Sequence, residues 1–119
     1  MKRILLCLMV ALFATGCLFA KNNDEKMNVM SYNIRYDNSG DKDNQWKFRR
    51  DFAADLVKFH EADVFGAQEV LNNQLNDLLD RLPEYAYVGV GREDGKTKGE
   101  YAPIFYRKDR FSVEKNGNF

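Results

Sequence analysis

Two polar positions, each at the end of an apolar segment, are the candidates for chemistry in this sequence. Asn33 ends a strand-like segment that begins at Met27, and Gln68 and Glu69 directly follow the apolar segment 63–67. A strand that ends in a polar side chain places that side chain at the edge of a sheet. One amide and one carboxylate at strand ends would converge on a hard cation, because such cations prefer oxygen ligands.

Each position also has a purely structural interpretation. Glu69 would cap a helix that starts near Val70, and Asn33 would simply turn the chain. The loop 37–45 is rich in Asp, Asn and Gly. Clustered oxygens of this kind can bind Ca²⁺, but the loop lacks the spacing and the closing Glu of an EF-hand. Turn formation is therefore the favoured interpretation of the loop.

The elements that position these residues follow from hydrophobic periodicity. The segment 27–33 predicts a buried strand. The segment 46–61 predicts a helix whose apolar face packs on the sheet through Phe48, Phe52, Leu56 and Phe59, with Ala53 and Val57 beside them. A second helix begins near Val70 and stops at Pro83, with an apolar face formed by Leu71, Leu75, Leu78, Leu79 and Leu82.

Several strands follow the second helix. They are predicted at 85–91 and 101–106, and a turn at 107–110 leads to another strand at 111–115. His60, the only histidine, lies near the end of the first helix, where a surface contact is the favoured interpretation. The order of elements predicts an α/β domain with a mixed sheet and helices on one face.

The first 20 residues have the layout of a signal peptide. Lys2 and Arg3 precede the apolar run 4–13, and small residues follow it at 14–16. The run is short for a transmembrane helix, so the sequence predicts export, with 1–20 as the signal, 21–26 as a polar linker and 27–119 as the domain. The expected location is extracytoplasmic in a bacterium: periplasmic, secreted, or attached to the envelope as a lipoprotein.

Cys17 leaves the mode of export open. The stretch Ala-Thr-Gly-Cys that ends at Cys17 resembles a bacterial lipoprotein signal, which would make Cys17 a lipidation site, although Ala14 stands where Leu is usual. An ordinary cleaved signal is the alternative. Both cysteines, Cys7 and Cys17, precede the domain, so the domain itself contains no disulfide.

The charge of the chain excludes few functions, but it disfavours nucleic acid as a partner. The chain carries 18 basic and 18 acidic residues, and removal of the signal with Lys2 and Arg3 leaves 16 against 18. A basic stripe that would follow a nucleic acid backbone is not evident. The sequence predicts contact with a membrane only through the lipid anchor that Cys17 would carry.

Three ordered blocks resemble a known family. SYNIRYD at 31–37, AQEV at 67–70 and GVGREDGKTKGEYAPIFYRKDRF at 89–111 are together similar to the N-terminal portion of the endonuclease/exonuclease/phosphatase superfamily. The resemblance implies the N-terminal half of a four-layer α-β-β-α sandwich. It also implies catalytic and metal-binding roles for Asn33 and Glu69, with Mg²⁺ as the cofactor and Mn²⁺ as a substitute.

The resemblance has a departure at Arg35, where the DNA-repair branch of the superfamily has an acidic residue. Either Asp37 supplies that carboxylate or the site lacks it, while Arg35 is a candidate substrate-binding residue, since arginine binds phosphate in a bidentate manner. Arg92 is a second candidate for substrate binding, with Glu100 as its polar partner. A solvated salt bridge between Arg92 and Glu100 is an equal alternative.

Two functions remain open from the sequence. The first is an exported metal-dependent phosphoesterase acting on a phosphodiester or phosphomonoester, present as an N-terminal piece that is expected to be inactive alone. The later family motifs, an Asp-x-Asn pair and Ser-Asp-His, do not follow Glu69, so the missing C-terminal half is an expected partner. The second is a non-catalytic cell-envelope binding module that retains half of the fold.

Overall fold

A computed structural model describes residues 26–118 of the chain. The predicted signal 1–20, Cys17 and all of the linker except its last residue lie outside these residues. No helix within them is both long enough and apolar enough to cross a bilayer. In chain order the elements are β1 (Val29–Asn33), a 3₁₀ segment (Ser39–Asn44), α1 (Trp46–Phe59), β2 (Val64–Gln68), α2 (Asn72–Arg81), β3 (Tyr85–Val88) and β4 (Ile104–Arg107).

The four strands form one mixed sheet, in agreement with the predicted α/β class. Their order is β1-β2-β4-β3; β1 is parallel to β2, and β4 is antiparallel to both of its neighbours. The parallel register pairs Asn33 with Gln68. The carboxyl ends of β1 and β2 therefore meet at one edge of the sheet, where the two candidate residues lie.

One face of the sheet and the two helices share the hydrophobic core. Phe65 and Phe105 stack with 4.5 Å between their ring centroids, and they are buried together with Val57 of α1 and Leu75 and Leu78 of α2. The predicted leucine face of α2 is confirmed by the burial of Leu75, Leu78 and Leu82. Helices thus cover one face, whereas on the other face Ile104 remains 49% exposed.

The predicted apolar face of α1 is wrong for its phenylalanines and confirmed for Ala53 and Val57. Phe48, Phe52 and Phe59 are 61%, 69% and 79% exposed, and the buried residues of the helix are Trp46, Ala53, Ala54 and Val57. A hydrogen bond of 2.8 Å from Trp46 Nε1 to Asp77 Oδ2 of α2 contributes to this rotation of the helix. Small alanines on the buried side allow the backbone of α1 to approach the core closely, so the phenylalanines face outward.

The strand predictions need four further corrections, the first being that the strand predicted at 85–91 ends at Val88. β1 is an edge strand of the described sheet rather than a buried one, so Val29 is 66% exposed and Met27 precedes the strand. The strand predicted from 101 begins at Ile104, although Tyr101 forms a bridge with Val70. Residues 111–115 form no strand, because the chain leaves the sheet after the turn at 108–110.

Candidate metal and phosphate site

Asn33 and Glu69 are in direct contact at the shared edge of β1 and β2. Asn33 Nδ2 donates a hydrogen bond of 2.8 Å to Glu69 Oε1. The two residues are 36 positions apart in sequence, and the parallel pairing of their strands brings them together. The structure therefore places the two predicted catalytic residues in one polar cluster.

The orientation of the Asn33 amide follows from its second contact. Asn33 Oδ1 accepts a hydrogen bond of 2.9 Å from the backbone N–H of Arg35. Because that donor requires an oxygen, the amide nitrogen is the group that faces Glu69. Asn33 thus turns the chain, as its structural interpretation proposed, and also orients the carboxylate.

Glu69 does not cap a helix. Its Oε2 accepts a hydrogen bond of 3.2 Å from the backbone N–H of Tyr36, and α2 begins only at Asn72. Both Glu69 (φ 59°) and Arg35 (φ 60°) have left-handed backbone conformations, which are uncommon for residues other than glycine. Such strain is concentrated at functional sites, where the surrounding contacts maintain it.

The hydrogen bonds favour the ionised form of Glu69. Donation from Asn33, then from the Tyr36 backbone, lowers the pKa of the Glu69 carboxyl, and the positive charge of Arg35 adds to the effect. Partial burial acts in the opposite direction but is outweighed. Glu69 is therefore negatively charged at neutral pH and suited to bind a cation.

A groove of about 660 Å³ brings Glu69 together with the third sequence block. Its lining includes Glu69, Arg92 and Glu100. Backbone hydrogen bonds between Val70 and Tyr101, of 2.7 and 3.3 Å, hold the end of the 91–100 loop beside Glu69. Two of the three predicted substrate-binding residues thus share a groove with the predicted metal ligand.

Arg92 and Glu100 form an exposed ion pair within this groove. The distance from an Arg92 guanidinium nitrogen to Glu100 Oε2 is 3.4 Å, and the Arg92 side chain is 68% exposed. An exposed pair of this kind contributes little to stability. The Arg92 guanidinium is therefore paired with Glu100 but remains largely exposed to solvent in the groove.

Arg35, the remaining predicted substrate-binding residue, has a different environment. Its guanidinium makes a bidentate contact with Asp41, with distances of 3.0 and 2.9 Å, and the two residues line a separate groove with Asn44 and Arg49. This pair raises the pKa of Arg35 and lowers the pKa of Asp41. The structure places the Arg35 backbone at the site, whereas its side chain contacts the 3₁₀ segment.

Glu69 suits a hard cation that takes few of its ligands from the protein. Each oxygen of Glu69 accepts one hydrogen bond, so each retains a lone pair for a metal. Among residues 26–118, no group of three or more His, Cys, Asp or Glu side chains is placed to hold a metal ion. Mg²⁺ fits such a site, because it keeps several waters and often uses one or two carboxylates together with substrate phosphate.

Sequence reasoning missed two contributors to the site, Tyr36 and Gln74. Tyr36 acts through its backbone, which no side-chain pattern reveals. Gln74 is completely buried, although Asn72 and Asn73 before it are exposed, and its amide forms hydrogen bonds with the backbone of Arg35 and Asp37. The residue before α2 is Leu71, which lacks the side-chain oxygen of a capping box, so no capping-box signal marks Gln74 in the sequence.

Similar solved structures carry the same fold. One, from Bacteroides vulgatus, is described as an endonuclease/exonuclease/phosphatase; it is 55% identical to the chain over 71% of it, with a TM-score of 0.70. An endonuclease/exonuclease/phosphatase family protein from Bacteroides thetaiotaomicron is 44% identical over 76%, with a TM-score of 0.74. A mannosyl-6-phosphatase from B. thetaiotaomicron is 44% identical over 77%, with a TM-score of 0.75.

The chain spans only about a third of each of these structures: 33%, 34% and 35% of their lengths. No protein-family model matches the sequence, and no curated protein matches it significantly. The structural matches confirm the predicted resemblance and the α/β fold, and the coverage is consistent with an N-terminal portion. The chain is thus similar to a phosphoesterase-like class of hydrolases.

Proposed function

We propose, from the fold shared with endonuclease/exonuclease/phosphatase family proteins, that this chain forms the metal-binding part of a phosphoesterase. The observation that carries the proposal is the Glu69 carboxylate, held by Asn33 and the Tyr36 backbone, in the groove that also contains Arg92. A cation beside an anion-binding arginine is the arrangement needed to bind a phosphate ester.

Each residue has a defined part in the proposed reaction. Glu69 holds Mg²⁺ or Mn²⁺, and Asn33 keeps the carboxylate oriented. When bound, the cation polarises a phosphoryl oxygen and neutralises charge that develops in hydrolysis. Arg92 leaves Glu100 to bind the incoming phosphate, and Glu100 keeps the guanidinium in the groove when substrate is absent.

We propose a small phosphomonoester, of the sugar phosphate class, as the substrate. The mannosyl-6-phosphatase among the similar structures supports this choice, as does the near balance of 16 basic and 18 acidic residues outside the signal segment. Among residues 26–118, Arg92 is the one arginine that lines the groove, which matches a single phosphate group better than an extended nucleic acid backbone. Export to an extracytoplasmic location, by simple secretion or with lipidation of Cys17, remains part of the proposal.

The activity is proposed for a polypeptide that includes the counterpart of the remaining two thirds of the similar structures. That form should release phosphate from mannose 6-phosphate and p-nitrophenyl phosphate with Mg²⁺ or Mn²⁺, and it should release p-nitrophenol from the diester bis(p-nitrophenyl) phosphate more slowly. EDTA should abolish turnover. The 119-residue chain alone should be inactive, because the general base is expected outside it.

Variants of two carboxylates make this experiment specific. Glu69→Gln should abolish turnover, whereas Glu93→Gln, in the exposed 91–100 loop, should retain it. Turnover that resists EDTA and survives Glu69→Gln would contradict the proposal. Absence of turnover in every form, with phosphate ester binding retained, would favour the cell-envelope binding module instead.

A further inference from the structure

Gln74 is one of two polar or charged residues buried among residues 26–118; the other is Asp63. It is the third residue of α2, and its side chain is 0% exposed. Burial of an amide is unfavourable unless its donors and acceptor find partners. The partners that Gln74 has found therefore indicate why an amide is placed in the core.

All three hydrogen bonds of Gln74 go to backbone groups. Its Oε1 accepts from the N–H of Leu71 at 3.1 Å and from the N–H of Asp37 at 3.0 Å. Its Nε2 donates to the carbonyl oxygen of Arg35 at 2.9 Å. The two backbone donors require an oxygen, so the orientation of the amide is determined by its contacts.

Only one of these bonds serves the helix. The bond from Leu71 satisfies a free N–H group at the start of α2, as in half of a capping box. The other two bonds lie outside α2 and flank a single residue, Tyr36, on both sides. Helix capping alone does not account for them.

The segment that Gln74 holds is the segment that orients Glu69. The Tyr36 N–H donates to Glu69 Oε2, and the Arg35 N–H donates to Asn33 Oδ1. We infer that Gln74 is a positioning residue, which fixes the segment 35–37 so that Asn33 and Tyr36 present their donors to Glu69. The hold of Gln74 on segment 35–37, called the clamp below, rests on geometry alone. Its consequence, a properly oriented metal ligand, rests on the proposed function.

Gln74→Met tests the clamp, because methionine has a similar length but forms none of the three bonds. In the full chain, Mn²⁺ affinity should fall about tenfold or more, as is typical when groups that support a metal ligand are removed. Hydrogen exchange of the Arg35 and Tyr36 amides should accelerate by a similar factor. Gln74 accepts no hydrogen bond from the N–H group of Arg35 or of Tyr36, so faster exchange of these two groups reports a loss of hold on the segment and not simply a lost bond.

Tyr85→Phe is the matched control, since it removes another buried hydrogen bond to a backbone carbonyl, that of Ala62, at the end of β2 opposite to Glu69. It should lower the urea midpoint while leaving Mn²⁺ affinity and both exchange rates unchanged. Wild-type exchange rates and Mn²⁺ affinity in Gln74→Met would overturn the inference. If wild-type chain binds no Mn²⁺, the proposed metal role fails, and the amide exchange of Gln74→Met still decides whether Gln74 is the clamp.

Discussion

The amide of Asn33 donates to the carboxylate of Glu69 across the carboxyl ends of two parallel strands, with 2.8 Å between Nδ2 and Oε1. The same amide accepts the N–H of Arg35 through its oxygen. Asn33 therefore connects the turn after β1 with the residue that follows β2. The site depends on this link as much as on the charge of Glu69.

Asn33→Ala should weaken cation binding without unfolding the chain. The substitution removes one donor to Glu69 and the acceptor of the Arg35 N–H, so the carboxylate loses its fixed orientation. We expect Mn²⁺ affinity to fall about tenfold or more, measured by titration with Mn²⁺ as the paramagnetic probe. Asn76→Ala, on the exposed side of α2, is the control and should bind Mn²⁺ as the wild type does.

Stability should decline in acid because of Asp63. This residue is only 4% exposed, and it accepts hydrogen bonds from the Asn28 backbone and from the Arg110 guanidinium. The backbone bond, followed by the contact with Arg110, lowers the pKa of Asp63 below its ordinary value of 3.8. A lowered pKa in the folded state stabilises the fold above the unfolded pKa, and this contribution is lost as the pH falls through the folded pKa.

Urea unfolding of the wild type and of Asp63→Asn at several pH values measures this contribution. The free energy of unfolding of the wild type should exceed that of Asp63→Asn. The difference should stay constant at neutral and mildly acidic pH and shrink below about pH 4. A difference that does not change with pH would show that Asp63 has the same pKa in both states.

The orientation of α1 predicts that two apolar residues of the same helix contribute very differently to the free energy of unfolding. Val57 is fully buried, so Val57→Ala should reduce the free energy of unfolding by about 1–3 kcal/mol. Phe52 is 69% exposed, so Phe52→Ser should change it by less than about 0.5 kcal/mol. Urea denaturation compares the two, and a larger loss from Phe52→Ser would restore the helix face predicted from the sequence.

The contrast between these two residues shows what periodicity can and cannot predict. The spacing of Phe48, Phe52 and Phe59 correctly indicated a helix, because it repeats at the helical period. It did not indicate which side is buried, since that depends on the alanines and on the Trp46–Asp77 bond to α2. In α2 the leucines are the only large apolar residues, so pattern and burial agree.

The same distinction applies to the site. Asn33 and Glu69 were predictable because strand ends carry polar residues to one edge of a sheet. The groove with Arg92 and Glu100 depends on the bridge between Val70 and Tyr101, which is a long-range pairing without a local signal. Gln74 was missed because the sequence does not show whether a glutamine is buried or exposed.

Arg92→Ala should affect substrate binding more than turnover in the extended polypeptide. Within the part of the chain that the structure describes, no other guanidinium lines the groove with Glu69, so the substitution would remove a charged hydrogen bond to phosphate. We expect KM for p-nitrophenyl phosphate to rise about tenfold or more, with a smaller change in kcat. Arg35→Ala is the comparison, because its side chain contacts Asp41, and it should leave KM closer to the wild-type value.

Mn²⁺ and Mg²⁺ binding to the full chain, compared between the wild type, Glu69→Gln and Glu93→Gln, most directly tests whether Glu69 is a metal ligand. We expect one site in the wild type and in Glu93→Gln, and loss of that site in Glu69→Gln with an unchanged urea midpoint. The carboxylate at the end of β2 is then the cation ligand. Equal affinity in all three forms would contradict this role and leave Glu69 as a structural partner of Asn33 and Tyr36.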